Sequence, residues 1–159
     1  MSWNAGADVT TGDLITASQW NNYLGADGSV DYLKGRLNWK ATPAAVLSDT
    51  DRTTDQDWTD IDLTSDASAN AEWAVLQLRL HIDSVSSGQV SLLVRENGSS
   101  ETANVPRLFF TTADGRTAGG DYYATVIVGL DGDNIFEYKI DVSGTIQVDS
   151  YIHVLGYVE

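Results

Sequence analysis

From about residue 44 to the C-terminus, apolar side chains recur at every second position. A period of two marks strands with one face buried. Ala74–Asp83 is the clearest case: Leu76, Leu78, Leu80 and Ile82 point one way, and Gln77, Arg79, His81 and Asp83 point the other. Val90, Leu92 and Val94 alternate with Ser91, Leu93 and Arg95. Tyr122, Ala124, Val126, Val128 and Leu130 form another row, as do Phe136, Tyr138, Ile140 and Val142. Val148–Val158 places Ile152 and Val154 on one face and Tyr151, His153 and Tyr157 on the other. Arg107–Thr112, Trp58–Leu63 and Ala44–Leu47 read as shorter strands. Asn97-Gly98, Asp114-Gly115, Asp131-Gly132 and Ser143-Gly144 carry the chemistry of hairpin turns or loops. About eight strands at even spacing predict a mainly β chain, an antiparallel β-sandwich of jelly-roll-like type, over residues 44–159.

Residues 1–43 read differently, as a docking or oligomerisation arm with short helices. Thr16-Ala17-Ser18-Gln19 is a capping box that opens a helix with Trp20 and Leu24 on one face, closed by Gly25. Ser29 is placed to cap a second helix carrying Val30, Leu33 and Leu37. Neither is long enough to stand alone in water, so both must pack on the main domain or another subunit. Trp3, Trp20, Leu24, Val30, Leu33 and Leu37 are the expected docking residues, with Trp39 beside them.

Charge sets the surface. The 159 residues hold 23 acids against 9 Lys and Arg, a net of −14. Such a surface repels nucleic acid and anionic membranes, and both are rejected as partners. Asp dominates the acids and Lys is limited to Lys34, Lys40 and Lys139, a balance that also suits high salt; an ordinary acidic surface is the simpler reading. There is no Cys, so disulfides and thiol chemistry are excluded. No apolar run is long enough to span a bilayer as a helix, and the first residues lack the features of a secretory signal.

Candidate chemistry is sparse. His81 and His153 sit opposite the apolar rows and read as half-exposed strand residues, since neither belongs to a ligand-spaced cluster. No nucleophile elbow, dinucleotide fingerprint or Walker motif is present. Seven Asp lie between Asp49 and Asp66, and hard cations such as Ca²⁺ take such oxygen clusters. Asp57, Asp60 and Asp62 are the candidate ligands there; a solvated acidic loop is the plainer reading, and no cofactor is expected. Asp131-Gly132-Asp133-Asn134 fails the EF-hand pattern and reads as a turn, as does the sequon Asn97-Gly98-Ser99. Trp58 and Trp73 are expected at the sandwich edge. Five Trp and seven Tyr also offer stacking faces for sugar rings.

Ala7 to Leu24, continuing through Asp31 to Lys34, resembles a segment recurrent in virion proteins of tailed phages. The matching positions are Trp3, Gly12, Asp13, Ile15, Thr16, Ala17, Asn21 or Asn22, Asp31 and Leu33-Lys34. Gly25-Ala26-Asp27-Gly28 interrupts what in that family runs as one helix. The terminus Gly156-Tyr157-Val158-Glu159 resembles the end of β-sandwich domains in phage tail and fibre proteins. The resemblance, extended loosely by Trp58–Leu63, implies a homo-oligomeric virion surface component, often a homotrimer. Its arm would anchor on other virion proteins, of capsid or tail, and its β domain would face outward. A tail-fibre or spike domain and a capsid decoration protein fit equally. The alternatives are a module binding host-surface glycans, and a glycan-cleaving enzyme with two carboxylates in a cleft.

The charge yields a test. Between about 0.1 and 1 M salt the screening length falls from about 10 to about 3 Å. The melting temperature is therefore expected to rise with NaCl in a thermal melt. An unchanged melt would show that the carboxylates are already paired or well spread.

Overall fold

The computed structural model describes residues 37–159. Strands there run β1 (Leu37–Arg52), β2 (Gln56–Asp62), β3 (Trp73–Glu96), β4 (Arg107–Thr111), β5 (Asp121–Gly129) and β6 (Ile135–Val158), with a 3-10 turn at Thr112–Asp114. The chain is mainly antiparallel β. The expected helices, with Trp3, Trp20, Leu24, Val30 and Leu33, lie outside the described residues. Leu37 is not helical: it opens β1 and is exposed. Residues 37–43, read as arm, belong to that strand. Leu37, Trp39 and Ala41 alternate with Asn38, Lys40 and Thr42, but their apolar side chains face outward, and Pro43 is tolerated because β1 lies at the sheet edge.

The frame is a ribbon of two 24-residue strands, β3 and β6, paired antiparallel from Trp73↔Val158 to Glu96↔Phe136. Sequence patterning divided each into two strands, with Ser143-Gly144 as a hairpin turn or loop between two of them. The structure corrects this: pairing continues through Gly88↔Gly144. Two register shifts, Ile82/Ser84 and Val85/Ser87, each add a residue to β3. Such bulges bend a strand and raise its twist. The first moves the inward position from Ile82 to Val85; the second restores the original parity at Val90. Ile82, Val85 and Val90 thus all reach the core.

Each half of the ribbon is flanked on both sides. On one half β5 pairs with β3, from Trp73↔Gly129 to His81↔Asp121, and β1 lies along β6. On the other half β4 pairs with β3 around Ser91↔Phe109, and β2 pairs with β6 around Asp60↔Glu137. These four-stranded leaves share one core. Leu76, Leu78, Leu80 and Ile82 of the first leaf join Val90, Leu92, Val94, Phe110, Phe136 and Ile140 of the second, all fully buried. The Phe110 ring of β4 meets that of Tyr122 on β5 at 5.1 Å, an attractive tilted geometry. Each such apolar side chain contributes about 1.5–3 kcal/mol by leaving water.

The expected inward rows hold, with one exception. Tyr157 packs on the core, although alternation placed it with Tyr151 and His153. Val75 pairs with Gly156 and Leu76 with Val154, so Leu155 is an extra residue and the side-chain direction flips beyond it.

The bend has a steric test. Gly88 and Gly144 both have positive φ, and a Cβ on Gly144 would lie 2.5 Å from the Ser87 carbonyl oxygen. Gly144→Val is expected to destabilise the protein by about 3 kcal/mol or more in urea denaturation. An unmoved midpoint would mean the strands do not cross the corner in contact.

Candidate functional site

The main polar constellation lies on the outer face of the β5–β3–β6–β1 leaf, near the bend. Alternation puts Arg79, His81 and Asp83 of β3 on this face, and pairing sets Asp121 of β5 and Asp149 of β6 beside His81. Arg79 donates to Asp121 at 2.9 Å, and its guanidinium lies 4.7 Å from the Tyr151 ring centre. His81 Nδ1 contacts Asp121 at 2.9 Å, and Nε2 lies 3.6 Å from Asp83. Asp149 accepts from the Asp51 amide at 2.9 Å and from the Tyr151 hydroxyl at 3.1 Å. Asp51 takes a positive φ and accepts from Gln147 at 2.6 Å.

The result is a graded row. Arg79 and its hydrogen bond, then His81, hold the Asp121 carboxyl below the usual range. At the other end, Asp51, Asp83 and Asp149 offer carboxylate oxygens all within 4.8 Å of one another. Burial and then the Asp149 charge push Asp83 up; the Asp149 hydrogen bond and the Asp51 charge add to this, and His81 opposes it. An oxygen-only donor set has the chemistry of a hard-cation ligand, but Asp51 and Asp149 are already engaged by amide, hydroxyl and Gln147 donors. Sequence reasoning missed this trio. Its members are 32 and 66 residues apart, and only strand pairing joins them.

The residues nominated from sequence lie elsewhere. Asp57, Asp60 and Asp62 sit on β2 and are not gathered into a cluster. Asp57 accepts from the Trp58 amide, and Asp62 accepts from the Thr64 amide, which lowers its pKa. Asp131 closes the β5–β6 turn, accepting from Asp133, Ile135 and Asn97; these bonds outweigh its burial and lower its pKa. His81 and His153 share the outer face but sit four residues apart along paired strands, about 13 Å, and do not form one site. Trp58 stacks under the Arg95 guanidinium at 3.9 Å, and Arg95 also pairs with Glu137 at 2.7 Å. Trp39 and Trp73 are exposed in the first leaf.

The outer face of the second leaf carries an open depression of about 520 Å³, lined by Asp55, Gln89, Ser91, Arg107, Phe109, Asp141, Val142 and Ser143. Phe109 is partly exposed there, beside carboxylates, a guanidinium and hydroxyls.

The carboxylate row makes a pH prediction with opposite signs at its ends. A raised folded pKa at Asp83 contributes stability only below the unfolded value, about 3.9, and loses it as pH rises through the folded value. Asp83→Asn is therefore expected to stabilise at pH 7, with the gain vanishing at low pH. Asp121 is lowered, so Asp121→Asn is expected to destabilise at pH 7 and to match the parent in acid. Denaturant midpoints across pH 3–8 check this; equal shifts for both variants would contradict it.

No protein-family description matches the chain, and no curated protein matches it. Among solved structures it is similar to the coat protein of Tobacco streak virus, at 12% identity over 79% of this chain and 88% of that one, with a TM-score of 0.36. It is also similar to a protein of Bacillus endospore appendages, described as a novel family of disulfide-linked pili, at 12% identity over 74% of this chain and 91% of that one, with a TM-score of 0.31. Superpositions this loose transfer neither a strand arrangement nor a function.

Proposed function

We propose that the chain is a non-enzymatic structural protein of a tailed-virus particle, displayed on the virion surface and anchored by its N-terminal residues. The reading starts from the strand order, which sets the class of fold. Counting β3 and β6 as two segments each, at the bend, gives eight segments. One leaf then runs first–eighth–third–sixth and the other second–seventh–fourth–fifth. That order is a jelly roll, a sandwich of two interlocked Greek keys that recurs in viral capsid and lectin domains. A fold of this kind hosts many functions, so the choice among them rests on other features.

Three features favour assembly. The likeness at Gly12–Ala17 and Asp31–Lys34 is to virion proteins. The net charge of −14 suits a module kept from packaged nucleic acid. The outer face of the first leaf spends its polar groups on one another, Arg79 on Asp121 and Tyr151 on Asp149, a structural use of charge. Self-association through the arm as a homotrimer, with the arm seated on another virion protein, completes the reading.

A second reading is favoured by the depression around Phe109. An exposed ring flanked by Arg107, Asp55 and Gln89 has the stacking and hydrogen-bonding parts of a sugar site, and jelly rolls include lectins. Calorimetry with host-surface glycans separates the two readings: binding lost in Phe109→Ala supports a receptor-binding module.

The assembly reading is tested by comparing the full chain with residues 37–159. Asn38–Glu159 form a compact unit with its own core, so the shorter chain is expected to keep its β-type circular dichroism. Light scattering is expected to give multiples of three 17.2 kDa chains for the full protein and to lose the three-fold mass on deletion. A full chain that stays at one copy, or a deletion that leaves the mass per particle unchanged, would remove the arm from assembly.

A further inference from the structure

The edges of the two leaves are not alike. Edge strands offer unpaired amides and carbonyls, and proteins blunt them with Lys, Pro, bulges or short length. β1 carries Lys40 and Pro43, a register shift breaks β2, and β4 has only five residues. β5 has none of these guards. It runs nine residues, Asp-Tyr-Tyr-Ala-Thr-Val-Ile-Val-Gly, pairs with β3 without a register shift, and has no other strand partner among the described residues. Tyr123, Thr125 and Ile127 on its outer face are all exposed.

We propose that β5 pairs antiparallel with β5 of a second copy of this chain, about a two-fold axis through Thr125. The strand is self-complementary in that register. Full overlap of Asp121–Gly129 with itself sets Thr125 opposite Thr125, Tyr123 opposite Ile127, Tyr122 opposite Val128, Ala124 opposite Val126 and Asp121 opposite Gly129. Aromatic–β-branched and Thr–Thr pairs are the favourable cross-strand combinations. Outward residues meet outward residues, so both copies keep their buried face toward a core. The charge pattern points to the same partner. A chain of net charge −14 repels its copies over most of its surface, yet the only ionised side chain of β5 is Asp121. It sits at the strand end, is held by Arg79 at 2.9 Å, and falls opposite a glycine. Pairing of this kind joins two leaves into one continuous eight-stranded sheet, β1-β6-β3-β5 followed by its symmetry mate. The contact is isologous and closes on itself. It goes beyond the proposed function, and it is independent of the N-terminal arm: arms gathered in threes and strands joined in twos would link trimers into a network.

The absence of cysteine makes the register readable. Residues directly opposite in an antiparallel pair have Cα atoms about 4.5–5.5 Å apart, within disulfide reach. Full-length Thr125→Cys under mild oxidation is expected to give a covalent species of twice the 17.2 kDa chain mass on non-reducing electrophoresis. Ile127→Cys alone is expected to stay uncrosslinked, but to crosslink when mixed with Tyr123→Cys. A charge pair gives a second reading on an exposed site that leaves the fold intact. Thr125→Lys places two like charges across the axis and is expected to weaken this association roughly tenfold or more, and equimolar Thr125→Glu to restore it. Crosslinking of Thr125→Cys no faster than Ile127→Cys alone, or Thr125→Lys associating as the parent does, would overturn the proposal.

Discussion

The rest of the structure depends on the unbroken pairing of β3 with β6 through the bend at Gly88 and Gly144. A two-stranded ribbon exposes one apolar face along its length, and folding it over brings that face against itself. The flanking strands then add to leaves that already exist. The corner demands close backbone approach: a Cβ on Gly88 would lie 2.1 Å from the Ser143 carbonyl oxygen. Glycine on both strands lets them turn together without losing their ladder, and the two bulges on β3 supply the extra length and twist.

That economy leaves the outer faces free for polar chemistry, and each takes a different form. On the first leaf, Arg79, His81 and the acids Asp121, Asp83, Asp149 and Asp51 grade from satisfied to mutually repelling carboxylates. Asp83 is the strained end, where burial and neighbouring charge both favour its neutral form. On the second leaf, Arg95 is held between the Trp58 ring and Glu137, a nearly buried ion pair that sits far from the repelling trio. Among the described residues the acids are therefore not spread evenly. They gather near the bend and along β2, and they are thin on β5, the edge best suited to meet another copy.

Much of the β domain was legible in the sequence because period-two patterning is a direct consequence of strand geometry. The rows Leu76–Ile82, Val90–Val94, Tyr122–Leu130 and Phe136–Ile140 point inward as read. What patterning could not show was continuity. Ser143-Gly144 has the chemistry of a turn, and whether a glycine at positive φ reverses the chain or bends it is decided by what lies opposite, here Gly88. Tyr157 was misplaced for a related reason: the extra residue at Leu155 leaves no mark in composition. The strand over residues 37–43 was read as arm although Leu37, Trp39 and Ala41 alternate, because Leu37 also fits the i, i+3, i+7 spacing of Val30 and Leu33. Asp51, Asp83 and Asp149 come together only through pairing between distant segments, whereas the local run at Asp57, Asp60 and Asp62 looked like a cluster and is an alternating strand with capping hydrogen bonds.

The ribbon account is tested most directly by native-state hydrogen exchange. If the paired strands bind the two leaves into one unit, the amides of Leu78 in the first leaf and Leu92 in the second open only with global unfolding. Both are then expected to exchange with the same free energy and the same dependence on denaturant. Exchange of one leaf at distinctly lower free energy than the other, with the break at Gly88 and Gly144, would show a hinge between two separate halves and contradict the account.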